Sequence, residues 1–140
     1  PGGGGIYTSA AEAAGKVDGK VIGVDSDQQP IIDGKYGEGM TITSAMKGLE
    51  ATVNTVLTDI RDGKWSDHAG KIENLGMVSE NPEENYVQLP VDTTQWSDAF
   101  TEDDYRALVK AMYNGEVKVS NDISAMPKTS VKVTDYGSIK

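Results

Sequence analysis

Between Ile42 and Gly63 the apolar residues fall three or four apart. Ala45, Met46, Leu49, Val53, Val56, Leu57 and Ile60 make one stripe. That spacing predicts an amphipathic helix over 42–63, with Thr43 or Ser44 as its cap and Gly63 as its stop. Gly48 lowers its propensity slightly and leaves room for close packing. The stripe reads as core. A second helix is predicted after Thr101, where Thr101 and Asp104 form a capping-box-like start. Its apolar face is Tyr105, Leu108, Val109, Met112 and Tyr113, and Gly115 stops it. A third is predicted in the Ala-rich run Ile6–Ala14, closed by Gly15 in the left-handed position.

Other segments carry the period of two or a short apolar run. Val21-Ile22-Gly23-Val24 predicts a buried strand, and Tyr86–Val91 a second. Lys71–Ser79 is a weaker strand candidate. Val117–Val119 and Val131–Val133 alternate apolar with basic residues, as half-exposed strands do. Gln29–Gly39, with Pro30 and three glycines, reads as a loop, and so does the polar stretch from Trp65 to Asn85. Asp-Gly-Lys recurs at Asp18, Asp33 and Asp62 with unequal spacing, which predicts turns and not a repeat. Lys128–Lys140 reads as a C-terminal extension. Helix, turn, strand, then the acids Asp25 and Asp27 is the layout of an open α/β sheet. Such sheets bind ligands beyond the carboxyl ends of their strands.

Composition narrows the function classes. The chain has 140 residues, a net charge of -9, 37% hydrophobic residues and no cysteine. That length fits one ordinary domain and excludes two large ones with a cleft between them. No apolar run approaches the roughly 18–20 residues of a transmembrane helix. The acidic balance argues against nucleic acid. The lack of cysteine excludes a disulfide scaffold, a thiolate metal site and a cysteine nucleophile. The sequence opens Pro1-Gly2-Gly3-Gly4-Gly5 without an initiator Met, and it reads as a piece of something longer.

Several motifs suggest chemistry and then fail it. Asp25-Ser26-Asp27 opens like a calcium loop, but Pro30 stands where the turn glycine belongs and Tyr36 where the bidentate Glu belongs. The Gly2–Gly5 run lacks the Gly-Lys-Ser/Thr of a phosphate loop and has no preceding strand in this chain. Trp65-Ser66-Asp67-His68 holds the residue types of a triad, yet triad members converge from separate elements. His68, the only histidine, reads as a solvated surface residue. No metal site is expected. Trp65 and Trp96 read as packing anchors before stacking platforms. Lys47, placed in the first turn of the 42–63 helix, opposes the helix dipole, although a solvated Lys accounts for it as well.

Three motifs then line up in order: Gly2-Gly3-Gly4-Gly5-Ile6-Tyr7, Val21-Ile22-Gly23-Val24-Asp25-Ser26-Asp27-Gln28, and Thr41-Ile42-Thr43-Ser44-Ala45-Met46-Lys47. Together they resemble the C-terminal part of the basic membrane protein family, the nucleoside-binding lipoproteins of bacterial ABC importers. Gly63–Trp65 and Gly115–Ser120 extend the resemblance to about Ser120.

The resemblance implies an α/β fold, an incomplete three-layer α/β/α lobe of a type I periplasmic-binding protein. Residues 1–40 would belong to the second ligand-binding lobe. Residues 41–65 would form the hinge crossing and a long helix on the first lobe, and 66–140 would complete the lobes. The function implied is capture of a nucleoside, expected to be a purine, by a non-enzymatic importer subunit. The alternative is a ligand-sensing receptor or regulator of the same fold for another sugar-containing molecule. A hydrolase using Asp25 and Asp27 is the least supported.

Carried over residue by residue, Asp25 and Lys47 would contact the ribose, with Gly3, Gly4 and Gly5 lining the pocket. Vicinal hydroxyls donate to one carboxylate, a Lys ammonium offsets its charge, and glycine lets backbone N–H groups approach. Asp27 and Gln28 are expected to fix the loop. Base-reading groups would lie upstream, so the piece alone should bind weakly. No cofactor and no metal is expected. The partners implied are the nucleoside and a membrane permease, with no nucleic acid. Self-association through the exposed long helix is a further expectation. The implied location is extracytoplasmic, on a membrane-anchored lipoprotein.

Overall fold

The computed structural model of the chain describes residues 3–126, 128–135 and 137. Pro1 and Gly2 of the glycine run, and Tyr136 and Ser138–Lys140 of the expected extension, lie outside the described residues. The order of elements is α1 (Tyr7–Gly15), β1 (Val21–Asp25), α2 (Gln29–Tyr36), β2 (Thr41–Lys47), α3 (Leu49–Arg61), β3 (Val87–Gln88) and α4 (Glu102–Tyr113). Short 3-10 turns lie at Trp65–Asp67 and Pro82–Glu84. The class is mixed α/β. Three strands form one sheet in the order β1-β2-β3, with β1 parallel to β2 and β3 antiparallel to it.

The first helix forms where alanines concentrate, but it does not end as expected. Gly15 is its last residue and has no left-handed backbone. Asp18 takes that conformation instead, at φ 51°, and the Gly19 N–H donates to the Ala14 carbonyl at 2.8 Å. Asp tolerates this region better than most residues, and here it does glycine's work at the helix end. α2 occupies much of the segment expected to be a loop. Pro30 sits in its first turn, where a missing N–H leaves no bond unmade, and Gly37 ends it at φ 109°. Asp33 lies inside this helix and makes no turn. Its carboxylate accepts N–H groups from Thr41 at 2.9 Å and from Gly39 at 2.8 Å, tying α2 to the start of β2. Burial works to raise its pKa, but hydrogen bonds from Thr41, Gly39 and Gln29 outweigh it and hold the carboxyl below its usual range.

The largest correction concerns residues 41–47. They form the central strand of the sheet and not the start of a helix. Thr41, Ile42 and Thr43 are β-branched, and Thr41, Thr43 and Ser44 are buried. Two of the three hydroxyls have partners, since the Thr43 and Thr94 hydroxyls lie 2.7 Å apart and Ser44 Oγ accepts the Gln28 N–H, while the buried Thr41 hydroxyl is left without one among the described residues. The helical spacing of Ala45 and Met46 with Leu49 is therefore fortuitous. The true helix, α3, begins at Leu49 and keeps the rest of the stripe.

The buried apolar cluster is small. Ala11, Val21, Ile32 and Met40 form it, with Tyr7, Ala10, Ala14 and Tyr36 packed around them. It joins α1, α2 and the start of β1. α3 contributes nothing to it, since none of its residues is buried. Its stripe, expected as core, faces outward.

α4 forms as its sequence predicts. The Thr101 hydroxyl accepts the Asp104 N–H, and the Asp104 carboxylate accepts the Thr101 N–H, which completes the capping box. Tyr105 and Val109 are buried, and Gly115 follows the helix at φ 75°. Trp96 stacks on Tyr105 with centroids 5.7 Å apart, and its Nε1–H donates to the Val91 carbonyl, so it is a packing anchor. Trp65 is half exposed. Lys71–Ser79, Val117–Val119 and Val131–Val133 make no strand among the described residues. Alternation alone does not fold a strand, which needs a neighbour to take its hydrogen bonds.

Candidate functional site

β1 and β2 run parallel, so their carboxyl ends meet at one edge. Asp25 ends β1 opposite Met46, and Lys47 ends β2. This corrects the placement of Lys47: it is the last residue of a strand and not part of a helix. Lys47 Nζ lies 2.7 Å from Asp25 Oδ1. The two residues singled out from separate motifs thus form one ion pair.

The backbone aims Asp25. It is one of two described non-glycine residues with positive φ, at 71°. The Ser26 N–H donates to the Val24 carbonyl at 2.9 Å, so Asp25 is the central residue of a three-residue turn. That conformation is uncommon and costs about 1–3 kcal/mol outside glycine. It also separates Asp25 from Asp27, whose side chains would share a face only if the strand continued. Asp27 turns to structural partners. Its Oδ1 accepts the Gln29 N–H at 3.0 Å, and its Oδ2 accepts the Thr93 hydroxyl at 2.8 Å.

Gln28 fastens the same corner from beneath. It is buried, at 6% exposure. Its Oε1 accepts the Val24 N–H at 3.0 Å, its Nε2 donates to the Gly4 carbonyl at 2.7 Å, and its own N–H donates to Ser44 Oγ. One side chain therefore ties the end of β1 to the glycine turn, while its backbone holds β2. Gly23 makes room for it, because a Cβ there would lie 2.9 Å from Gln28 Cβ.

The three glycines differ. A Cβ on Gly4 would lie 3.4 Å from Asp25 Oδ2, so this residue is the one that approaches the carboxylate. A Cβ on Gly3 would meet only Ile6, and one on Gly5 nothing within 4 Å. None of the three has positive φ, and 3.4 Å is an ordinary contact distance, so neither the backbone nor crowding requires glycine at any of them.

In front of the ion pair lies an open cavity of about 470 Å³. Asp25 and Lys47 line it with Glu50, Asn54, Glu83 and Glu84. Hydrogen bonds from Ser79 and Asn81 hold the Glu84 carboxyl below its usual range. The sequence reading missed these last four. Glu50 and Asn54 were hidden by placing the helix start too early, and Glu83 and Glu84 by treating 65–85 as featureless loop. Asn85 was missed too. It is fully buried, and its amide accepts from the Val78 and Ser79 N–H groups and donates to the Ser79 and Asn81 carbonyls. It folds this loop against Gly48, whose N–H donates to the Tyr86 carbonyl at 2.8 Å.

The ion pair itself adds little to stability. The Lys47 side chain is 67% exposed and that of Asp25 34% exposed. Exposed pairs contribute about 0–1 kcal/mol, so a ligand displaces such a pairing cheaply. A larger groove, of about 820 Å³, lies between α4 and the sheet, walled by Leu75, Met77, Val87, Tyr105, Val109 and Met112 among others. It is mostly apolar and presents no comparable charged pair.

His68 also differs from expectation. Its side chain is 21% exposed and sits between two carboxylates, with Nδ1 2.8 Å from Glu73 and Nε2 3.0 Å from Asp59. Hydrogen bonds to Glu73 and Asp59 raise its pKa above 6.5. It is a clamp between α3 and the segment that follows. Among the described residues no group of three or more acidic or histidine side chains is placed to hold a metal ion. Comparison with protein-family models, with curated proteins and with solved structures finds no match for this chain.

Proposed function

We propose that the chain is part of a nucleoside-binding protein, and that Asp25 and Lys47 hold the sugar. The observation that carries this reading is the 2.7 Å pair at the joined carboxyl ends of β1 and β2, beside a cavity and the Gly4 turn. Open α/β sheets use that edge for ligands. A carboxylate accepts two neighbouring hydroxyls at once, and an ammonium donates to ring or hydroxyl oxygens. The rest of the wall favours an uncharged ligand. Asp25, Glu50, Glu83 and Glu84 place four carboxylates around one ammonium, a setting that repels phosphate. A nucleoside fits this chemistry better than a nucleotide.

The wider reading follows from the motif resemblance. The parent protein is a basic membrane protein family receptor with a type I periplasmic-binding fold, which closes two lobes on the nucleoside and presents it to an ABC permease. It performs no chemistry on its ligand. Asp25→Ala tests the site. In the full receptor, calorimetry should show a loss of about 3 kcal/mol or more, since two charge-assisted hydrogen bonds disappear. Unchanged affinity overturns the assignment.

A further inference from the structure

The outward face of α3 presents Leu49, Val53, Leu57 and Ile60, which are 58%, 54%, 59% and 48% exposed. These residues lie four, four and three apart and form one strip along a helix that buries none of its residues. Such a strip on the longest helix among the described residues asks for a cover.

Its charged borders indicate which one. Glu50 and Arg61 flank the strip on the same side, about 20° apart around the helix axis. The opposite border carries Thr52 and Asp59. Along the axis Glu50 and Arg61 stand about 16 Å apart, too far to meet within one helix. Among the described residues Glu50 makes no ion pair, and Arg61 pairs only through Nε with the adjacent Asp62. A second α3 laid antiparallel brings like borders together. Glu50 then faces Arg61 of the second copy, and Arg61 faces its Glu50. The midpoint of these two residues falls within about one residue of the centre of the apolar strip, so one two-fold axis satisfies both patterns. A parallel arrangement instead turns the Glu50 border toward Asp59.

We infer that α3 is a self-association surface on which two copies of this chain pair antiparallel, with Glu50 and Arg61 setting the direction. One 13-residue helix per copy covers less than the roughly 800 Å² per partner of a standard interface, so the dimer is expected to be weak and in exchange with monomer. The strip shares Leu49 and Glu50 with the cavity wall, whereas Leu57, Ile60 and Arg61 lie outside it, so the Leu57→Glu and Arg61→Glu variants test the pairing separately from the nucleoside reading.

Sedimentation equilibrium of the chain from about 10 µM to 1 mM tests it. The wild type should pass from monomer to dimer across that range. Leu57→Glu should remain monomeric. Glu50→Lys and Arg61→Glu should each weaken the dimer about tenfold by setting like charges opposite each other twice. The double variant Glu50→Lys/Arg61→Glu should recover to near the wild-type midpoint, which no contact within one helix can produce. Circular dichroism should show every variant folded, as expected for exposed positions. A wild-type chain that stays monomeric at 1 mM overturns the proposal and leaves the strip to another partner. A dimer unaffected by Leu57→Glu, or a double variant as weak as the singles, overturns it equally.

Discussion

Gly48 joins β2 to α3 and sits against the chain at Asn85–Tyr86. A Cβ at this position would collide with the Asn85 carbonyl oxygen and lie 2.9 Å from Tyr86 Cα. Both obstacles are backbone, so neither can swing away. The backbone angles of Gly48, φ -72° and ψ 65°, involve no positive φ, so the penalty of Gly48→Ala is steric. Overpacking of this kind costs about 1–3 kcal/mol. Reduced freedom of the unfolded chain returns about 0.4–1 kcal/mol. The expected net loss is about 1–2 kcal/mol, which lowers the melting temperature of a chain this long by about 3–8 °C. Relief of the clash must lengthen the 2.8 Å bond from the Gly48 N–H to the Tyr86 carbonyl, and that bond lies next to Lys47. Differential scanning calorimetry reads the first effect, and amide chemical shifts at Lys47 and Tyr86 read the second. A melting temperature equal to or above that of the wild type would refute the packing described around Asn85.

Two other outcomes follow from the same geometry. Gln28→Leu keeps the side chain's bulk but leaves the Val24 N–H and the Gly4 carbonyl without partners, so it should lose about 2–4 kcal/mol in denaturant unfolding and speed amide exchange at Val24; a loss under 0.5 kcal/mol would contradict its role. For His68, the hydrogen bonds to Glu73 and Asp59 favour the charged ring, so its folded pKa exceeds the ordinary 6.5. The stabilisation it gives is fully present below pH 6.5 and disappears as pH rises through the folded value. Because the chain has one histidine, its proton resonance titrates without overlap, and a midpoint at or below 6.5 would contradict the clamp.

The sequence disclosed most where local chemistry decides structure. The Thr101–Asp104 box and the apolar face behind it define α4 without help from the rest of the chain. The β-branched run at Val21 defines β1 in the same way. Residues 42–47 look helical in sequence because Ala45, Met46 and Leu49 mimic a helical period, while the deciding factor is a neighbour. β1 lies alongside and supplies hydrogen bonds that only a strand can take. The loop around Asn85 was opaque for a related reason. A single asparagine satisfies four backbone groups there, and nothing local marks it from other asparagines. For the site, the motifs named Asp25 and Lys47, and the fold supplies their meeting. The three-residue turn at Asp25 was not legible, because Asp25-Ser26-Asp27 carries no glycine to announce a positive φ. The glycine run was legible as a feature but not in detail, since only Gly4 stands against the carboxylate.

The proposed sugar-binding role of Asp25 and Lys47 is tested most directly by nuclear magnetic resonance titration of this chain with a purine nucleoside and with its 2′,3′-dideoxy analogue. The nucleoside should shift the Asp25, Lys47 and Gly4 amides with weak affinity, in the millimolar range (about 4 kcal/mol). The dideoxy analogue, lacking both hydroxyl donors, should bind at least about tenfold more weakly, and Asp25→Ala should abolish the difference. Equal shifts from both compounds, or shifts confined to residues away from the strand ends, would contradict the account.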